Sequence, residues 1–198
     1  MKQYTIFAGV NGAGKTSLYS VAFENNKLFG ERVNSDELVR EIGDWSNKGV
    51  QFIAGKRTIE LIETYIKEGV SFIQETTLAG TSIPRFVQSA KDVGFKIVMY
   101  YVGVNSPEIA KERVRERVLK GGHGIDEGII ERRYYVSQKK FISLIPQCDE
   151  VFVFDNSGKD FLYILSIKDG KTIIWENNIP EWINNLIPFL PSRSFELS

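Results

Sequence analysis

The glycine-rich octapeptide GVNGAGKT at residues 9–16 constrains this chain more than any other feature of its sequence. It satisfies the phosphate-loop pattern G-x-x-x-x-G-K-[ST], and it follows an apolar run, TIFAG, that predicts a strand. The next segment, TSLYSVAF, predicts a helix. In that context the glycines let backbone N–H groups surround a polyphosphate at the helix N-terminus. The sequence therefore predicts an ATP or GTP site, and the alternative is a glycine-rich turn that binds nothing.

Two side chains of this loop carry its expected chemistry. Lys15 places a positive charge on the β- and γ-phosphates, and the Thr16 hydroxyl is a ligand for Mg²⁺. The sequence thus predicts ATP and Mg²⁺ as cofactors, with Thr16 as the metal ligand. The predicted nucleotide-binding residues are Gly9, Asn11, Gly12, Ala13, Gly14, Lys15, Thr16 and Ser17.

Short apolar runs alternate with longer amphipathic stretches, a pattern typical of a parallel sheet covered by helices. The predicted strands are TIFAG, a brief one near ERVN, VSFIQ, KIVMYYVGV and EVFVFD. The predicted helices between them are 16–24, 36–42, 52–67 and 83–93. We therefore predict an α/β fold of the P-loop NTPase or kinase type, a parallel sheet flanked by helices.

A helix that starts at Ser106 and Pro107, a break at GGHGI (121–125) and a second helix from about Asp126 together predict a movable helical flap over about 107–145. Four arginines lie in the two helices: Arg113, Arg117, Arg132 and Arg133. Arg113 is interpreted as part of a solvated charged face. Arg117, together with Arg132 or Arg133, is predicted to contact the transferring phosphate, because a guanidinium donates bidentately and stays charged.

Beyond residue 157 the pattern changes to two apolar runs that flank Asp169-Gly170, a strong hairpin signal. We predict a C-terminal antiparallel hairpin and a short helix near PEWINNLI, over about 158–190. At this length a single kinase-like domain is expected over 1–198, with its core at 3–157.

Phosphoryl transfer also needs a carboxylate that orients or deprotonates the acceptor. Asp36 follows the second predicted strand, so it is expected at the carboxyl edge of the sheet. It is the predicted base, and the alternative is that it only caps a helix. Glu75 ends the third strand and could hold Mg²⁺ through water or bind acceptor hydroxyls. Thr76 and Thr77 are candidate substrate-binding residues. His123, the single histidine, is expected to shape its loop or to touch substrate.

The charge composition limits which classes of partner the chain is expected to bind. Equal numbers of acidic and basic residues, 25 each, provide no global field toward nucleic acid or acidic lipid, so neither a nucleic acid nor a membrane is expected as a partner. With the lone Cys148 no internal disulfide forms, and no secretory leader or membrane-spanning run is evident. The cytoplasm is therefore the expected location.

The segments GVNGAGKTSL, VNSDELVRE, FIQETTL and RVRERVLKGGHGIDEGIIERRY resemble the zeta toxin family of P-loop kinases, over roughly residues 3 to 157. This resemblance implies a five-stranded parallel core, an ATP site and phosphorylation of the 3′-hydroxyl of UDP-N-acetylglucosamine. It implies that Asp36 is the base, that Glu75 binds the sugar, and that Arg117 with Arg132 or Arg133 clamps the transferring phosphate. It also implies an antitoxin protein as a possible partner.

Three functions are carried forward from the sequence. The first is an ATP-dependent kinase of a nucleotide sugar; the second keeps the chemistry and changes the acceptor to another metabolite, an antibiotic hydroxyl or a nucleic-acid end. The third is a nucleotide-binding switch that signals to a partner. A kinase needs a carboxylate that faces a second, acceptor-sized space, whereas a switch needs one only to place Mg²⁺ or water.

Overall fold

The computed structural model describes residues 1–24 and 30–195, and the strands in these ranges form one mixed sheet. In chain order they are β1 (Gln3–Ala8), β2 (Glu31–Asn34), β3 (Phe72–Thr76), β4 (Lys96–Gly103), β5 (Glu150–Asp155), β6 (Leu162–Lys168), β7 (Lys171–Ile174) and β8 (Ser192–Phe195). Their spatial order is β2-β3-β1-β4-β5-β6-β7-β8.

Helices connect the strands of the first part of the sheet. They are α1 (Lys15–Glu24), α2 (Ser35–Ile42), α3 (Lys48–Glu68), α4 (Ile83–Asp92), α5 (Pro107–Leu119) and α6 (Glu127–Leu144), and the short α7 (Glu181–Asn184) follows the hairpin. Two 3₁₀ turns lie at Ile145–Gln147 and Ile187–Phe189. None of the helices in the described ranges combines the length and apolarity that crossing a bilayer requires.

The first five strands are parallel, which confirms the predicted α/β class and its parallel core. β1 pairs with β3 on one side and with β4 on the other, β2 extends the sheet beyond β3, and β5 extends it beyond β4. Because parallel strands end at the same edge, the loop after β1 emerges between the carboxyl ends of its neighbours. This edge is where the candidate site lies.

Both faces of the parallel sheet are buried, and this explains why its strands are nearly continuous apolar runs. Along β1, Tyr4 and Ile6 face a core that includes Ile62 of α3 and Phe86 of α4. Phe7 points to the opposite face and belongs to a second core with residues of α1, α5 and α6. Helix α6 contributes to both cores, so its N-terminal half is packed beside the site.

Two of the differences between predicted and observed element boundaries concern the surroundings of the site. Helix α3 begins at Lys48, four residues before the predicted start, because the Asn47 side chain caps it by accepting a hydrogen bond from the Gly49 N–H at 2.8 Å. Strand β3 continues through Thr76, so Glu75 lies within the strand and not after it. Neither change moves these residues away from the carboxyl edge of the sheet.

The C-terminal segment extends the same sheet. β6 pairs antiparallel with β5 and with β7, and both Asp169 (φ 50°) and Gly170 (φ 69°) have positive φ, as a type I′ turn requires. The predicted hairpin is therefore confirmed. The pairing of β8 parallel to β7 was not predicted. Trp182 of the short helix is buried and donates from Nε1 to Asp155 at 2.7 Å, which fastens this segment to the core.

Candidate functional site

A cleft of about 940 Å³ lies at the carboxyl edge of the parallel strands. Its walls come from the phosphate loop, the start of α2, the end of β3, the flap and the connection between β5 and β6. Most of the predicted site residues line it: Asn11, Gly12, Gly14, Lys15, Thr16, Ser17, Asp36, Glu75, Thr76, Thr77, Arg117 and Arg133. Topology, more than proximity in sequence, brings these residues together.

The glycines of the phosphate loop are required by its packing. Gly12 has φ +80°, and a Cβ there would lie 2.4 Å from the Ala110 carbonyl oxygen of α5. Gly14 has φ +101°, and its Cβ would lie 2.4 Å from Asn156 Nδ2. Side chains at these positions would push α5 and the β5–β6 connection away from the loop. The pattern in the sequence is therefore explained by close backbone approach as well as by phosphate binding.

Lys15 begins α1 and faces the cleft. Its Nζ donates to the Val10 carbonyl oxygen at 3.1 Å. Burial lowers the pKa of Lys15 to about 8, although the nearby carboxylates of Glu75 and Asp36 act in the opposite direction. A phosphate group beside Nζ would favour the charged form and raise this pKa. The loop thus presents a cation whose charge an anionic ligand would stabilise.

Both carboxylate oxygens of Glu75 are engaged within the protein. Oε2 accepts a hydrogen bond from the Thr16 hydroxyl at 2.8 Å, and Oε1 accepts from Arg32 Nε at 3.0 Å and from Arg32 Nη2. The Glu75 side chain is only 5% exposed. Its environment is closer to the first of the two predicted roles, beside Thr16 as the predicted Mg²⁺ ligand, than to the second, in which it binds acceptor hydroxyls.

Arg32 was not identified from the sequence. It also donates from Nη1 to Glu37 at 2.6 Å, and its guanidinium lies 4.2 Å from the centre of the Tyr19 ring. Contacts with α2 and α1 therefore hold the arginine side chain that binds Glu75. An arginine in a short edge strand carries no sequence signal for such a role.

Asp36 lies in the first turn of α2, but it does not cap that helix. The cap is Asn34, whose Oδ1 accepts from the Asp36 N–H at 2.9 Å. The Asp36 carboxylate is 41% exposed and lines the cleft. An ionisable neighbour is His123, whose Nε2 lies 3.5 Å from Asp36 Oδ2. The carboxylate is thus available to a ligand, as a general base must be.

Arg117 of α5 and Arg133 of α6, the two flap helices, both line the cleft. Arg117 donates from Nη2 to the His123 carbonyl oxygen at 2.9 Å, and Arg133 donates from Nη1 to Asn11 Oδ1 at 2.9 Å. Burial lowers the pKa of each guanidinium, and Asp36 opposes the shift in both. Because an arginine pKa is so high, both side chains stay charged at neutral pH.

The other two flap arginines are Arg132, which lies outside the cleft, and Arg113, which lines it. Arg132 is exposed and does not line the cleft, so of the predicted pair only Arg133 lies there. The interpretation of Arg113 as part of a solvated face is not what the structure shows. Arg113 lines the cleft, and its Nη2 donates to the Gly158 carbonyl oxygen at 3.1 Å. Helical spacing alone does not show which face of α5 the rest of the chain covers.

His123 does not line the cleft, in contrast to its predicted contact with substrate. Its ring stacks on Trp45, with centroids 3.8 Å apart and planes inclined by 7°. Trp45 itself lines the cleft, so the imidazole lies behind part of the wall. Trp45 was missed because the segment between α2 and α3 shows no motif.

Asn156 is a further cleft residue that the sequence analysis missed. Its Nδ2 donates to the Ala13 carbonyl oxygen at 2.8 Å, so it supports the phosphate loop from the far side. It directly follows β5. The rule that pointed to Asp36, namely that residues at the carboxyl ends of parallel strands meet, would have identified Asn156 as well.

Together these groups can perform a defined set of tasks. The loop and Lys15 suit a polyphosphate, and the Thr16 and Glu75 oxygens suit a hard cation. Asp36 is an exposed carboxylate in the same cleft as the half-buried guanidinium groups of Arg117 and Arg133. Among the described residues there is no cluster of three or more His, Cys, Asp or Glu side chains that could hold a metal by itself. A divalent cation here would need ligand oxygens from phosphates and water.

Comparison with known proteins identifies the family of the chain and solved structures with a similar fold. A family model described as AAA_33, AAA domain, matches residues 5–132. An uncharacterized protein of Haemophilus influenzae is 34% identical over 128 residues, which are 65% of this chain and 89% of that protein.

Among solved structures, one from the PezAT chromosomal toxin-antitoxin system of Streptococcus pneumoniae superposes with a TM-score of 0.58 at 17% identity, covering 82% of this chain and 71% of that chain. A structure titled AvrRxo1-ORF1:AvrRxo1-ORF2 with ATP superposes with a TM-score of 0.63 at 15% identity and covers 97% of this chain. This chain spans 64% of that second chain's length. These likenesses show that the fold is P-loop kinase-like, and the family match places the chain in the AAA domain family AAA_33.

Proposed function

We propose that the chain is an ATP-dependent kinase that transfers the γ-phosphoryl group to a hydroxyl of a small molecule. The observation that carries the proposal is that the Asp36 carboxylate, the phosphate loop and the flap arginines line one cleft. The cleft of about 940 Å³ is at the upper end of the roughly 300–1,000 Å³ range of ligand pockets, and in this proposal its Asp36 side holds the acceptor beside the nucleotide. A switch would need no such second space.

Each side chain has a role in this proposal. Lys15 and the loop N–H groups hold the β- and γ-phosphates, and Asp36 accepts the proton of the attacking hydroxyl. Arg117 and Arg133 stabilise the charge that develops on the transferring phosphoryl group. Since the reaction has a loose transition state, positioning and charge account for most of its catalysis.

The residues around Thr16 fit a Mg²⁺ ion. Hard divalent cations prefer oxygen ligands, and the Thr16 hydroxyl lies 2.8 Å from the Glu75 carboxylate. Thr16 would be the direct ligand, and Glu75, kept in place by Arg32, would lie beside it. When bound, the ion would neutralise phosphate charge; the protein side chains would orient it.

The acceptor that we propose is UDP-N-acetylglucosamine, phosphorylated at the 3′-hydroxyl. This proposal is supported by the resemblance to zeta toxins and by the polar lining of the cleft near Asp36, which includes Gln51, Gln74 and Thr77. Trp45 provides an aromatic wall there, and such a ring packs against sugar or base faces. Another metabolite or an antibiotic hydroxyl would be the acceptor if this sugar nucleotide fails.

The acceptor is tested by measuring ATP consumption with and without UDP-N-acetylglucosamine. We expect the sugar nucleotide to raise turnover well above the hydrolysis seen with ATP alone, and a phosphorylated sugar nucleotide to appear in the mass spectrum. UDP-glucose is the matched control, since it lacks the acetamido group. Equal ATP turnover with and without the sugar, and no phosphorylated product, would remove this substrate.

The nucleotide site is tested with Lys15→Ala. We expect this change to abolish the thermal stabilisation that Mg-ATP gives the wild-type protein, because Nζ is the loop's charged contact to the phosphates. The unliganded variant should melt near the wild-type temperature, since within the described ranges Nζ makes a single hydrogen bond, to Val10. An unchanged shift on adding Mg-ATP would place the nucleotide elsewhere.

A protein partner of the antitoxin kind is the last element of the proposal. It rests on the resemblance to zeta toxins and on the fold shared with a structure from the PezAT toxin-antitoxin system. Such a partner would act by covering the cleft.

A further inference from the structure

Two contacts, one of the ring and one of the main chain, locate His123 between separate parts of the chain. Its imidazole stacks on Trp45, which lies between α2 and α3, with a centroid distance of 3.8 Å. Its carbonyl oxygen accepts a hydrogen bond from Arg117 at 2.9 Å. The His123 side chain thus packs against the segment between α2 and α3, while its main chain is bonded to α5 within the flap.

The imidazole has polar atoms that no described protein group satisfies. The His123 side chain is only 6% exposed, and neither Nδ1 nor Nε2 has a hydrogen-bond partner. Leaving such atoms buried and unpaired costs free energy, so a hydrogen-bond partner is expected for at least one ring nitrogen. The acceptor within reach is Asp36 Oδ2, 3.5 Å from Nε2. A shift of a few tenths of an ångström would produce a normal N–H···O hydrogen bond.

The charges around the ring favour its neutral form. Burial and the nearby Arg117 lower the pKa of His123, Asp36 raises it, and Arg40 on α2 lowers it further. A neutral imidazole carries one N–H and one acceptor nitrogen. With the hydrogen on Nε2, the ring donates to Asp36 without neutralising it. A protonated ring would instead form an ion pair and weaken the base.

We infer that His123 is a positioning residue for Asp36. With its ring stacked on Trp45, Nε2–H donates to Oδ2 of the carboxylate and leaves Oδ1 for the acceptor hydroxyl. The stack keeps the imidazole in place, and the imidazole in turn orients the base. This inference rests on the proposed function, in which Asp36 is the base.

The contact itself is tested without any assay of turnover. His123 is the single histidine of the chain, so its Cε1–H resonance in an NMR pH titration is unambiguous. We expect its pKa to lie below the ordinary value and to fall further in Asp36→Asn, because the carboxylate favours the charged ring. Asp44→Asn, a charge removal in the segment that carries Trp45, is the matched control and should leave the pKa unchanged. Identical values in wild type and Asp36→Asn would overturn the inference.

The role in transfer is tested with two substitutions that separate the ring from its N–H. His123→Phe keeps a flat ring against Trp45 and removes the donor, whereas His123→Gln keeps a donor and removes the ring. We expect His123→Phe to lower kcat by roughly 10–100-fold, the usual effect of losing a group that orients a reacting one, with KM for ATP unchanged. His123→Gln should retain more activity than His123→Phe.

A double variant identifies the residue through which His123 acts. Adding His123→Phe to Asp36→Asn should change the residual rate little, because the two side chains work as a unit. Wild-type activity in His123→Phe with a loss in His123→Gln would show that only the stack on Trp45 matters. A rise confined to the acceptor KM in His123→Phe would make His123 a substrate contact. Either result overturns the inference. If the wild type phosphorylates no acceptor, the proposed function fails while the NMR titration still decides the contact.

Discussion

Replacing Asp36 with asparagine is expected to slow phosphoryl transfer by about 10²–10⁴-fold and to leave ATP affinity nearly unchanged, since this is the usual contribution of a positioned general base. The amide keeps the shape of the side chain but cannot take the proton of the acceptor hydroxyl. Folding should be little affected, because the cap of α2 is Asn34 and the carboxylate is 41% exposed. Single-turnover rates together with ATP titration by calorimetry measure the two quantities separately.

A matched substitution shows whether the effect belongs to the cleft. Glu41→Gln removes an exposed carboxylate from the same helix, outside the lining of the cleft, and should retain the wild-type rate. Wild-type turnover in Asp36→Asn would mean that the carboxylate does not act as the base. A loss of ATP affinity of the same size as the loss of rate would assign Asp36 to nucleotide binding instead.

The second large effect is expected from Arg133→Ala, which should lower kcat by roughly 10³-fold or more while KM for ATP changes little. Arg133 lies at the cleft, donates to Asn11 of the phosphate loop, and is partly buried there. A cation that acts on the charge of the transition state contributes far more to the rate than to ground-state binding. Steady-state kinetics over a range of ATP concentrations separates the two.

The chain offers a control one residue away. Arg132 is exposed and outside the cleft lining, so Arg132→Ala should be close to wild type although it removes the same charge from the same helix. Equal losses in the two variants would indicate a general electrostatic effect. An effect of Arg133→Ala on KM alone would limit the residue to binding the nucleotide.

The part of the site that could be predicted from sequence depends on short-range patterns. The phosphate loop has a fixed spacing because Gly12 must approach the backbone of α5 and Gly14 the Asn156 side chain that follows β5. Asp36 and Glu75 were found because each comes at or just after a strand end, and parallel strands end at one edge. The hairpin was found because Asp169-Gly170 tolerates positive φ at two successive positions.

The remaining site residues depend on contacts between distant segments. Arg32 acquires its role from Glu75, which lies 43 positions later, and Trp45 from a flap residue that the sequence does not connect to it. β8 is polar and four residues long, so no periodicity marked it as a strand. Its pairing with β7 is a tertiary effect.

The arginines of the flap illustrate the same limit. Spacing along α5 and α6 shows which residues share a face, but the face that is buried depends on where β4, β5 and the phosphate loop lie. The sequence therefore predicts a solvated face for Arg113, which lines the cleft, and it does not distinguish Arg132 from Arg133, of which only Arg133 lines the cleft and contacts Asn11.

The measurement that tests the account most directly follows the γ-phosphoryl group itself. The protein is incubated with Mg-ATP labelled in that group and with a panel of sugar nucleotides and other polyols, and the label is traced by mass spectrometry. The account predicts that the label appears on a hydroxyl of one acceptor with wild type and is nearly absent with Asp36→Asn. Recovery of all label as inorganic phosphate, at equal rates in the two proteins and with every acceptor, would contradict it.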